Sequence, residues 1–398
     1  MTATAPALWP ILRTVIEVWG GVNLGFTATL LLGLWRLGRK KVPAAASAPP
    51  LVILRPCEGD EPGLYENLLS SLSVEYGPAR RVLFLVPATT DPAHAVASAV
   101  VQRAASDPSL AAIPAAVLVT SPQPLENRKV AQLVRGLAAS DESVVVCADS
   151  DVRLVGDDLT LLVSTLLATE AAGAAFAAPI EVASQTFWDR ASAALVGGSP
   201  QSFLALYGLS ALLGGAPSMA GALCAFRRQA LARTGGLDSV RGCLGEDNEL
   251  ARRLVESGYD VALSPRPAHC HDGGRSVGQV VSRVARWLTV VRAQRPGLMP
   301  SYPLLMAATP ALLLTLSVVH SPILLGFTVA VLCLRVLLCL WLRRMQGVRL
   351  GPLAALGQVL LGESLLWAGF LQALGSRRIR WRGHLFYVER GGRLRPAA

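Results

Sequence analysis

SVVVCADSDVRL, residues 143 to 154, is the stretch of sequence that decides the fold. Val144, Val145 and Val146 form a short β-branched run, which predicts a strand buried on both faces of a parallel sheet. Asp149 and Asp151 follow the C-terminal end of this strand, where open α/β sheets bind ligands. Buried carboxylates need partners, and a divalent cation that bridges to a diphosphate would be one. The alternative, that both aspartates only begin a turn, stays open at this point.

Further strands and helices alternate on both sides of this stretch. Apolar runs predict strands at 51–54, 81–86 and 115–119, and helices follow at 64–74, from Pro92 through Arg103, and from 130 to Leu137. Strands that alternate with helices predict a doubly wound parallel sheet. A dehydrogenase-type dinucleotide fold is disfavoured, because Gly-x-Gly-x-x-Gly is absent after the first strand. We expect residues 155–180 to be helical and to end near a further strand.

The composition predicts a membrane protein. Of the 398 residues, 52% are hydrophobic and only 16% are charged, which is too apolar for an ordinary soluble enzyme. Residues 14–35 are long enough to cross the bilayer as a helix, and a basic cluster follows them directly. The positive-inside rule then places the N-terminus outside and the following segment in the cytoplasm, at a bacterial inner membrane or its equivalent. A cleaved signal peptide is disfavoured, because the basic cluster is on the wrong side.

The C-terminal part contains further apolar segments. Residues 303–319 and 322–342 predict a helical hairpin that is broken at 320–322, and residues 352–374 form a third segment. If all of them span, the Arg-rich tail lies outside, against the positive-inside rule, so we expect the last segment to be re-entrant or interfacial. The predicted plan is a tail (1–13), a transmembrane helix (14–35), a linker (36–50), a catalytic domain (51–300), a membrane region of two to three helices (301–374) and a basic tail (375–398).

The net charge of +10 suggests attraction to anionic lipid. Nucleic acid is disfavoured as a partner, because the basic residues mostly flank apolar segments and no nucleic-acid motif is present. The seven cysteines show no paired zinc spacing, which favours reduced, buried thiols.

A second set of polar residues lies between 221 and 287. Ala222 to Arg227 predicts a strand, and Glu246-Asp247-Asn248-Glu249 opens a helix to Ser257, where the acids are either a capping cluster or functional. Arg283, Arg286 and Trp287 fall at i, i+3 and i+4 of a further predicted helix. These three residues share one face of that helix. In an ordinary helix, such a face would be exposed to solvent or to the membrane. Residues 202–213 are too short to span and predict a buried or interfacial helix.

These motifs, in this order, resemble the ceramide glucosyltransferase family of inverting, membrane-bound GT-A glycosyltransferases, with the bacterial hopanoid-lipid glycosyltransferases beside it. The resemblance covers about residues 50–300 and the tail motif at 379–383. It rests on Asp91-Pro92-Ala93, Asn127 with Lys129, Asp149, Glu246-Asp247, and Arg283 with Arg286 and Trp287. The sequence departs from the family at Ser199-Pro200, where the animal ceramide enzyme has His-Pro, and at Ala131-Gln132, where the family has Asn-Asn.

The resemblance implies transfer of a sugar from a UDP-sugar to a lipid hydroxyl, foremost glucose to ceramide. It implies that Asp91, Asn127, Lys129, Asp149 and Glu246 bind substrate. Asp247 would be the general base, Arg286 would contact the diphosphate, Trp287 would wall the acceptor site, and Arg283 would complete the motif. We expect Asp151, with Asp149, to hold Mg²⁺ or Mn²⁺.

Several alternatives remain at this level. N-acetylglucosamine transfer to a hopanoid or another lipid acceptor fits the same motifs, and an inactive membrane scaffold could retain the fold. A processive polysaccharide synthase is disfavoured by the small number of spanning segments. His269-Cys270-His271-Asp272 resembles a metal cluster, but no partner cluster accompanies it, so a zinc site is disfavoured. Glu363 lies in an apolar segment and is either functional or a helix-packing residue.

Overall fold

The computed structural model describes residues 5–39, 48–77, 79–123, 126–214, 218–381 and 384–396. Most of the linker predicted at 36–50, and positions 382 and 383 of the tail motif, lie outside these residues. The chain forms two compact units. The sheet unit comprises residues 41–189, 215–275 and 376–398, and the helical unit comprises 1–40, 190–214 and 276–375. The stretch predicted as one domain, 51–300, is therefore divided between the two units.

The sheet unit is built on a seven-stranded sheet that orders its strands β3-β2-β1-β4-β8-β6-β9. These strands are β1 (Leu51–Pro56), β2 (Arg80–Val86), β3 (Ala115–Val119), β4 (Val144–Ala148), β6 (Ala172–Phe176), β8 (Leu223–Arg227) and β9 (Asp260–Leu263). The first four of them in the sheet order are parallel, and β4 is fully buried, as the valine run predicts. The sheet confirms the α/β fold of the GT-A kind.

Strand β8 differs from the prediction of parallel strands, because it runs antiparallel to both β4 and β6. An apolar run indicates burial but carries no information on strand direction, which depends on the connection. Two small sheets complete the unit: β5 (Val152–Arg153), β7 (Pro179–Glu181) and β10 (Ala268–Cys270) form one, and β11 (Arg378–Trp381), β12 (His384–Val388) and β13 (Leu394–Pro396) form the other. The segment predicted only as a basic tail therefore contains three strands.

The helices of the sheet unit are α2 (Leu64–Ser73), α3 (Pro92–Ser106), α4 (Arg128–Ala138), α5 (Asp158–Leu167), α8 (Arg228–Arg233) and α9 (Glu246–Glu256). The prediction of a helix over 155–180 is correct only for α5. The Ala-rich segment after it forms β6, because Ala172, Ala174 and Ala175 are buried in the central sheet, and packing there overrides their helix propensity.

The helical unit contains α1 (Ala5–Gly38), α7 (Phe203–Leu213), α10 (Val277–Gln294), α11 (Ala308–Val318), α12 (Pro322–Met345) and α13 (Pro352–Gly375), together with most of α6 (Phe187–Gly198). Among the described residues, three helices are long and apolar enough to cross a membrane, namely Trp9–Gly38 of α1, α12 and α13. A fourth candidate is the pair Pro296–Met306 and α11, which is bent by 58°. The break predicted at 320–322 is present between α11 and α12.

Glycines within the helical unit allow close helix packing. A Cβ on Gly33 of α1 would lie 2.7 Å from the backbone of Gly208 on α7, and one on Gly369 of α13 would lie 2.4 Å from Val284 on α10. Helix α13 is continuous despite its glycines, and Glu363 on it is fully buried. The carboxylate of Glu363 accepts hydrogen bonds from the backbone N and the Oγ1 of Thr309 at 2.8 and 3.1 Å. Glu363 thus binds the N-terminal end of α11, which is compatible with helix packing, and a functional role for it stays a prediction.

No disulfide joins any of the seven cysteines, all of which lie within the described residues. Six of them are buried, and Cys333 on α12 is exposed. The prediction of reduced thiols is therefore consistent with the fold, with Cys333 as the exception to burial.

Candidate active site

The loop that carries Asp149 and Asp151 lies at the C-terminal end of β4, in the middle of the sheet. Its first peptide is fixed by β8, since the backbone N of Asp149 donates to the carbonyl of Ala222 at 2.8 Å. The Nδ2 of Asn67 on α2 also donates to the carbonyl of Ser150 at 3.2 Å, and the Oγ of Ser150 donates to the carboxylate of Glu61. The two aspartates are therefore held on a hydrogen-bonded turn at the C-terminal edge of β4, where the sequence predicts ligand binding.

Arg55 is a residue of this site that the sequence analysis did not single out. Its side chain is fully buried, and its Nη2 donates to the carbonyls of Asn67 and Val152 at 2.9 and 2.8 Å. Burial lowers the pKa of the Arg55 guanidinium, while the charges of Cys57 and Asp151 oppose that shift. Arg55 thus joins α2 to the residue that follows Asp151. A lone arginine in the apolar strand LVILRP was the available signal.

Lys129 connects the two acidic motifs of the sequence. Its Nζ lies 2.7 Å from Oδ1 of Asp149 and 3.3 Å from Oε1 of Glu246, and it donates to the carbonyl of Gly221 at 3.1 Å. Burial alone would lower the pKa of the Lys129 ammonium, but Asp149 and Glu246 raise it well above its usual value. Acidic residues that are far apart in the sequence are therefore joined by one partly buried positive charge.

Asp247 lies next to this cation, on the first turn of α9. Its Oδ2 accepts a hydrogen bond from the backbone N of Gly221 at 2.9 Å, and its Oδ1 accepts one from the backbone N of Asn248 at 2.8 Å. Burial and the charge of Glu246 raise the pKa of Asp247 to about 6, against the opposing effects of Lys129 and the two N–H groups. A carboxyl group with a pKa near neutrality is suited to accept a proton.

Gly221 makes this approach sterically possible. A Cβ at position 221 would lie 3.2 Å from Oδ2 of Asp247 and 3.2 Å from Nζ of Lys129. The sequence shows Gly221 before β8, but nothing local indicates that two charged side chains close over it.

Asn127 has a structural role in this site. Its side chain is fully buried and caps α4, since Oδ1 accepts a hydrogen bond from the backbone N of Val130 at 3.2 Å. Its Nδ2 donates to the carbonyl of Cys243 at 2.8 Å and to Oε2 of Glu246 at 3.1 Å. The Asn127 amide thus binds protein groups on both of its polar atoms, and its contact with substrate stays a prediction.

Asp91 caps α3 after the end of β2. Its Oδ1 accepts hydrogen bonds from the backbone N of Ala93 and of Gly59, both at 2.9 Å. The side chain is partly exposed, so the prediction that it contacts the nucleotide remains open.

The Arg-Trp motif belongs to the helical unit, where α10 carries it on one face as the spacing predicts. The guanidinium carbon of Arg283 lies 4.9 Å from the ring centre of Trp287, a cation–π contact one turn apart. Val284 on another face packs against α13. Arg286 is partly buried, as are Arg283 and Trp287.

Asp149 and Asp151 fit a divalent cation that arrives with a diphosphate. Within the described parts of the chain, no group of three or more His, Cys, Asp or Glu side chains is arranged to hold a metal ion. Asp149 already pairs with Lys129, and Asp151 is partly exposed on the same turn. Since Mg²⁺ is usually bound by one or two carboxylates plus substrate phosphates, this pair of aspartates fits the protein's share of the ligands.

The segment around His269 contacts this loop through its backbone. The N–H of His271 donates to the carbonyl of Asp151 at 2.7 Å, next to the end of β10. The Nδ1 of His269 lies 3.7 Å from Oδ2 of Asp158, which is buried. The segment therefore supports the position of Asp151, which agrees with the preference for a role through position over a zinc site.

Comparisons with known proteins match most of the chain to one family. The sequence profile of glycosyl transferase family 21 matches residues 19–394. Ceramide glucosyltransferase 3 of Caenorhabditis elegans is 23% identical over 373 residues, which cover 89% of this chain and 76% of that protein. Ceramide glucosyltransferase 1 of the same organism is 24% identical over 281 residues, 71% of this chain and 58% of that protein.

Solved structures are also similar to this chain, at a lower sequence identity than the two ceramide glucosyltransferases. A mannosyltransferase from Pyrobaculum calidifontis in complex with GDP-Man and Mn²⁺ is 16% identical, with a TM-score of 0.49 over 90% of this chain and 99% of that chain. Glucosyl-3-phosphoglycerate synthase from Mycobacterium tuberculosis in complex with Mn²⁺ and UDP is 16% identical, with a TM-score of 0.36 over 63% of this chain and 82% of that chain.

Proposed function

The chain belongs to glycosyl transferase family 21, and from this premise we propose that it transfers glucose from UDP-glucose to the hydroxyl of ceramide or a ceramide-like lipid, with inversion at the anomeric carbon. The chain is a membrane hexosyltransferase by its family and its apolar helices. The observation that carries the proposal is the contact network of Lys129, which joins Asp149 at the ligand-binding edge to Glu246 beside Asp247.

The donor would lie across the strand ends, with its diphosphate at the loop of Asp149 and Asp151. Asp151 would hold Mg²⁺ or Mn²⁺, and the bound cation would stabilise the charge that grows on the leaving diphosphate. Lys129 supplies a fixed positive charge next to Asp149. Following the resemblance, Asp91 contacts the nucleotide and Arg286 contacts the diphosphate.

The acceptor needs a base, because a lipid hydroxyl is a weak nucleophile. We assign this role to Asp247, whose pKa of about 6 leaves it ionised at neutral pH and still able to accept a proton. The hydroxyl oxygen attacks the anomeric carbon as the bond to the diphosphate breaks, and its proton passes to a carboxylate oxygen of Asp247. Glu246 holds Lys129 and Asn127 in place, while Trp287, stacked with Arg283, would form the wall of the acceptor site.

The directions of the helices support a cytoplasmic catalytic unit. Glu17 on α1 accepts a hydrogen bond from Ser321, the residue just before α12. Further along both helices, the ring centre of Phe26 on α1 lies 5.7 Å from the guanidinium carbon of Arg335 on α12. Later residues of α1 thus meet later residues of α12, so the two helices run in the same direction. Basic residues end both helices, namely Arg36 and Arg39 on one and Arg343 and Arg344 on the other. The positive-inside rule places both of these ends in the cytoplasm.

This direction also determines the path of the remaining helices. The chain must cross outward before α12 begins, and the bent pair 296–318 is the candidate span that precedes α12. Helix α13 then begins a short loop after the cytoplasmic end of α12, and the residues after Gly375 belong to the sheet unit. Both ends of α13 are therefore cytoplasmic, and α13 does not cross. This path places the Arg-rich tail inside, which removes the conflict noted in the sequence.

The function is tested by mass spectrometry of lipids formed in membranes that contain the protein, ceramide, Mn²⁺ and either UDP-glucose or UDP-N-acetylglucosamine. We expect a hexosylceramide that is formed with UDP-glucose and is reduced about 10²- to 10⁴-fold in Asp247→Asn, the usual contribution of a general base. Glu249→Gln is the matched control, because Glu249 lies on the same helix and pairs only with its own helix's Arg252 and Arg253 in the interactions identified. A hexosamine on another lipid would instead favour the hopanoid-type alternative, and no product with any pair would favour an inactive scaffold.

A further inference from the structure

The C-terminal chain returns to the sheet unit after α13. It forms the small sheet β11-β12-β13, in which Ile379, Phe386 and Val388 are buried. A tight turn between β12 and β13 contains Gly391 and Gly392 with φ of 79° and 82°, values that favour glycine. This turn delivers β13 to a defined position, so the segment is a packed part of the unit.

Strand β13 pairs with the loop that precedes Asp247. The backbone N of Leu244 donates to the carbonyl of Gly392 at 2.9 Å, and the backbone N of Leu394 donates to the carbonyl of Gly242 at 2.8 Å. Cys243 and Arg393 form the antiparallel bridge between these two bonds. The loop 241–245 thus acquires a strand partner from the C-terminal end of the chain.

The opposite edge of the same loop is held by Asn127. The backbone N of Asn127 donates to the carbonyl of Arg241 at 2.8 Å, and its Nδ2 donates to the carbonyl of Cys243. Loop residues 241–245 lead directly into α9, whose first two residues are Glu246 and Asp247. The base therefore follows a short loop that is fixed on one side by the start of α4 and on the other by β13.

We propose that the C-terminal segment 392–394, which leads into β13, is a positioning element for the catalytic loop, and that it sets the place of Asp247 in the active site through its backbone pairing with residues 242–244. The role as a positioning element rests on the proposed function of Asp247. The effect of the segment is to remove freedom from the loop, and a displacement of about 1 Å at a reacting group can cost on the order of 10²-fold in rate.

The pairing is tested first by a cross-link that needs no substrate. Cys243 faces Arg393 in a non-hydrogen-bonded antiparallel pair, where Cα atoms are about 4.5 Å apart, within the range that a disulfide spans. We expect Arg393→Cys to form a disulfide with Cys243 under mild oxidation, detected as a linked peptide by mass spectrometry. Arg395→Cys is the control, because it lies two residues further along the strand, about 7 Å away. Absence of the Cys243 link in Arg393→Cys would overturn the proposal.

The positioning role is tested by removing one backbone donor. Leu394→Pro deletes the N–H that binds Gly242, whereas Leu394→Ala keeps it and controls for the lost side chain. For Leu394→Pro we expect kcat to fall at least about tenfold with the KM for the UDP-sugar and UDP binding retained, and for Leu394→Ala little change. An unchanged kcat in Leu394→Pro would overturn the proposal. Loss of both UDP binding and turnover would also overturn it, because the segment would then stabilise the whole sheet unit instead of positioning Asp247. If the link forms but no sugar and acceptor pair reacts, the proposed function fails while the pairing stands.

Discussion

The Nζ of Lys129 lies 2.7 Å from Oδ1 of Asp149, and the same ammonium stabilises the ionised form of Asp247. One partly buried ammonium thus affects both the loop of Asp149 and the proposed base, Asp247. In Lys129→Met the pKa of Asp247 rises above about 6, because burial and Glu246 then act without their main opposing charge. Since only the ionised carboxylate accepts a proton, the acid limb of the kcat–pH profile moves to higher pH.

The measurement is kcat between pH 5 and 9 at saturating donor, with about a tenfold loss expected near pH 6 in Lys129→Met and partial recovery at pH 8. Arg128→Met is the control, because Arg128 pairs with Glu58 and is not a cause of the Asp247 shift. If the acid limb of the kcat–pH profile stays in place in Lys129→Met, Lys129 does not control the pKa of the base.

Gly221 offers a steric test of the same cluster. The Cβ of Gly221→Ala would lie 3.2 Å from both the Oδ2 of Asp247 and the Nζ of Lys129, so at least one charged group must shift by a few tenths of an ångström. We expect kcat to fall about tenfold with a small change in thermal stability, because misplacement of a reacting group affects rate more than folding. Gly278→Ala is the matched control, since its Cβ meets nothing within 4 Å. Equal kcat values for the two variants would contradict the close contact.

Asp151 is the residue on which metal dependence is predicted to rest. Asp151→Asn removes a charged oxygen ligand, while Asp149 remains bound to Lys129. We expect the Mn²⁺ concentration for half-maximal UDP binding, measured by calorimetry, to rise at least about tenfold, because Mn²⁺ and Mg²⁺ prefer carboxylate oxygen. Asp157→Asn is the control, since Asp157 pairs with Arg266 at 2.9 Å and both side chains are partly exposed. A normal Mn²⁺ titration of Asp151→Asn would place the cation elsewhere.

The sequence predicts those features that depend on local pattern. The valine run of β4 and the apolar runs of β1 and β2 indicate buried strands, and the acidic pair after β4 indicates the ligand edge, because each signal lies within a few residues. The contact of Arg55 with the carbonyl of Val152, and of Leu244 with Gly392, cannot be predicted in this way. These residues are 97 and 148 positions apart, and only the folded chain brings their backbone groups together. The antiparallel direction of β8 also depends on which distant strands it pairs with, so the local sequence does not predict it.

The membrane path predicts which loops a reagent can reach from each side. In a Cys333→Ser background, which removes the one exposed cysteine, we expect His320→Cys to react with a membrane-impermeant thiol reagent added outside. Gly347→Cys and Ser376→Cys should react only after the membrane is opened, because they flank α13, whose two ends both lie on the cytoplasmic side in the proposed path. This expectation follows from the shared direction of α1 and α12 and from the place of the tail in the sheet unit. Labelling of Ser376→Cys but not of Gly347→Cys from outside would mean that α13 crosses, and the tail would then have to leave the sheet unit.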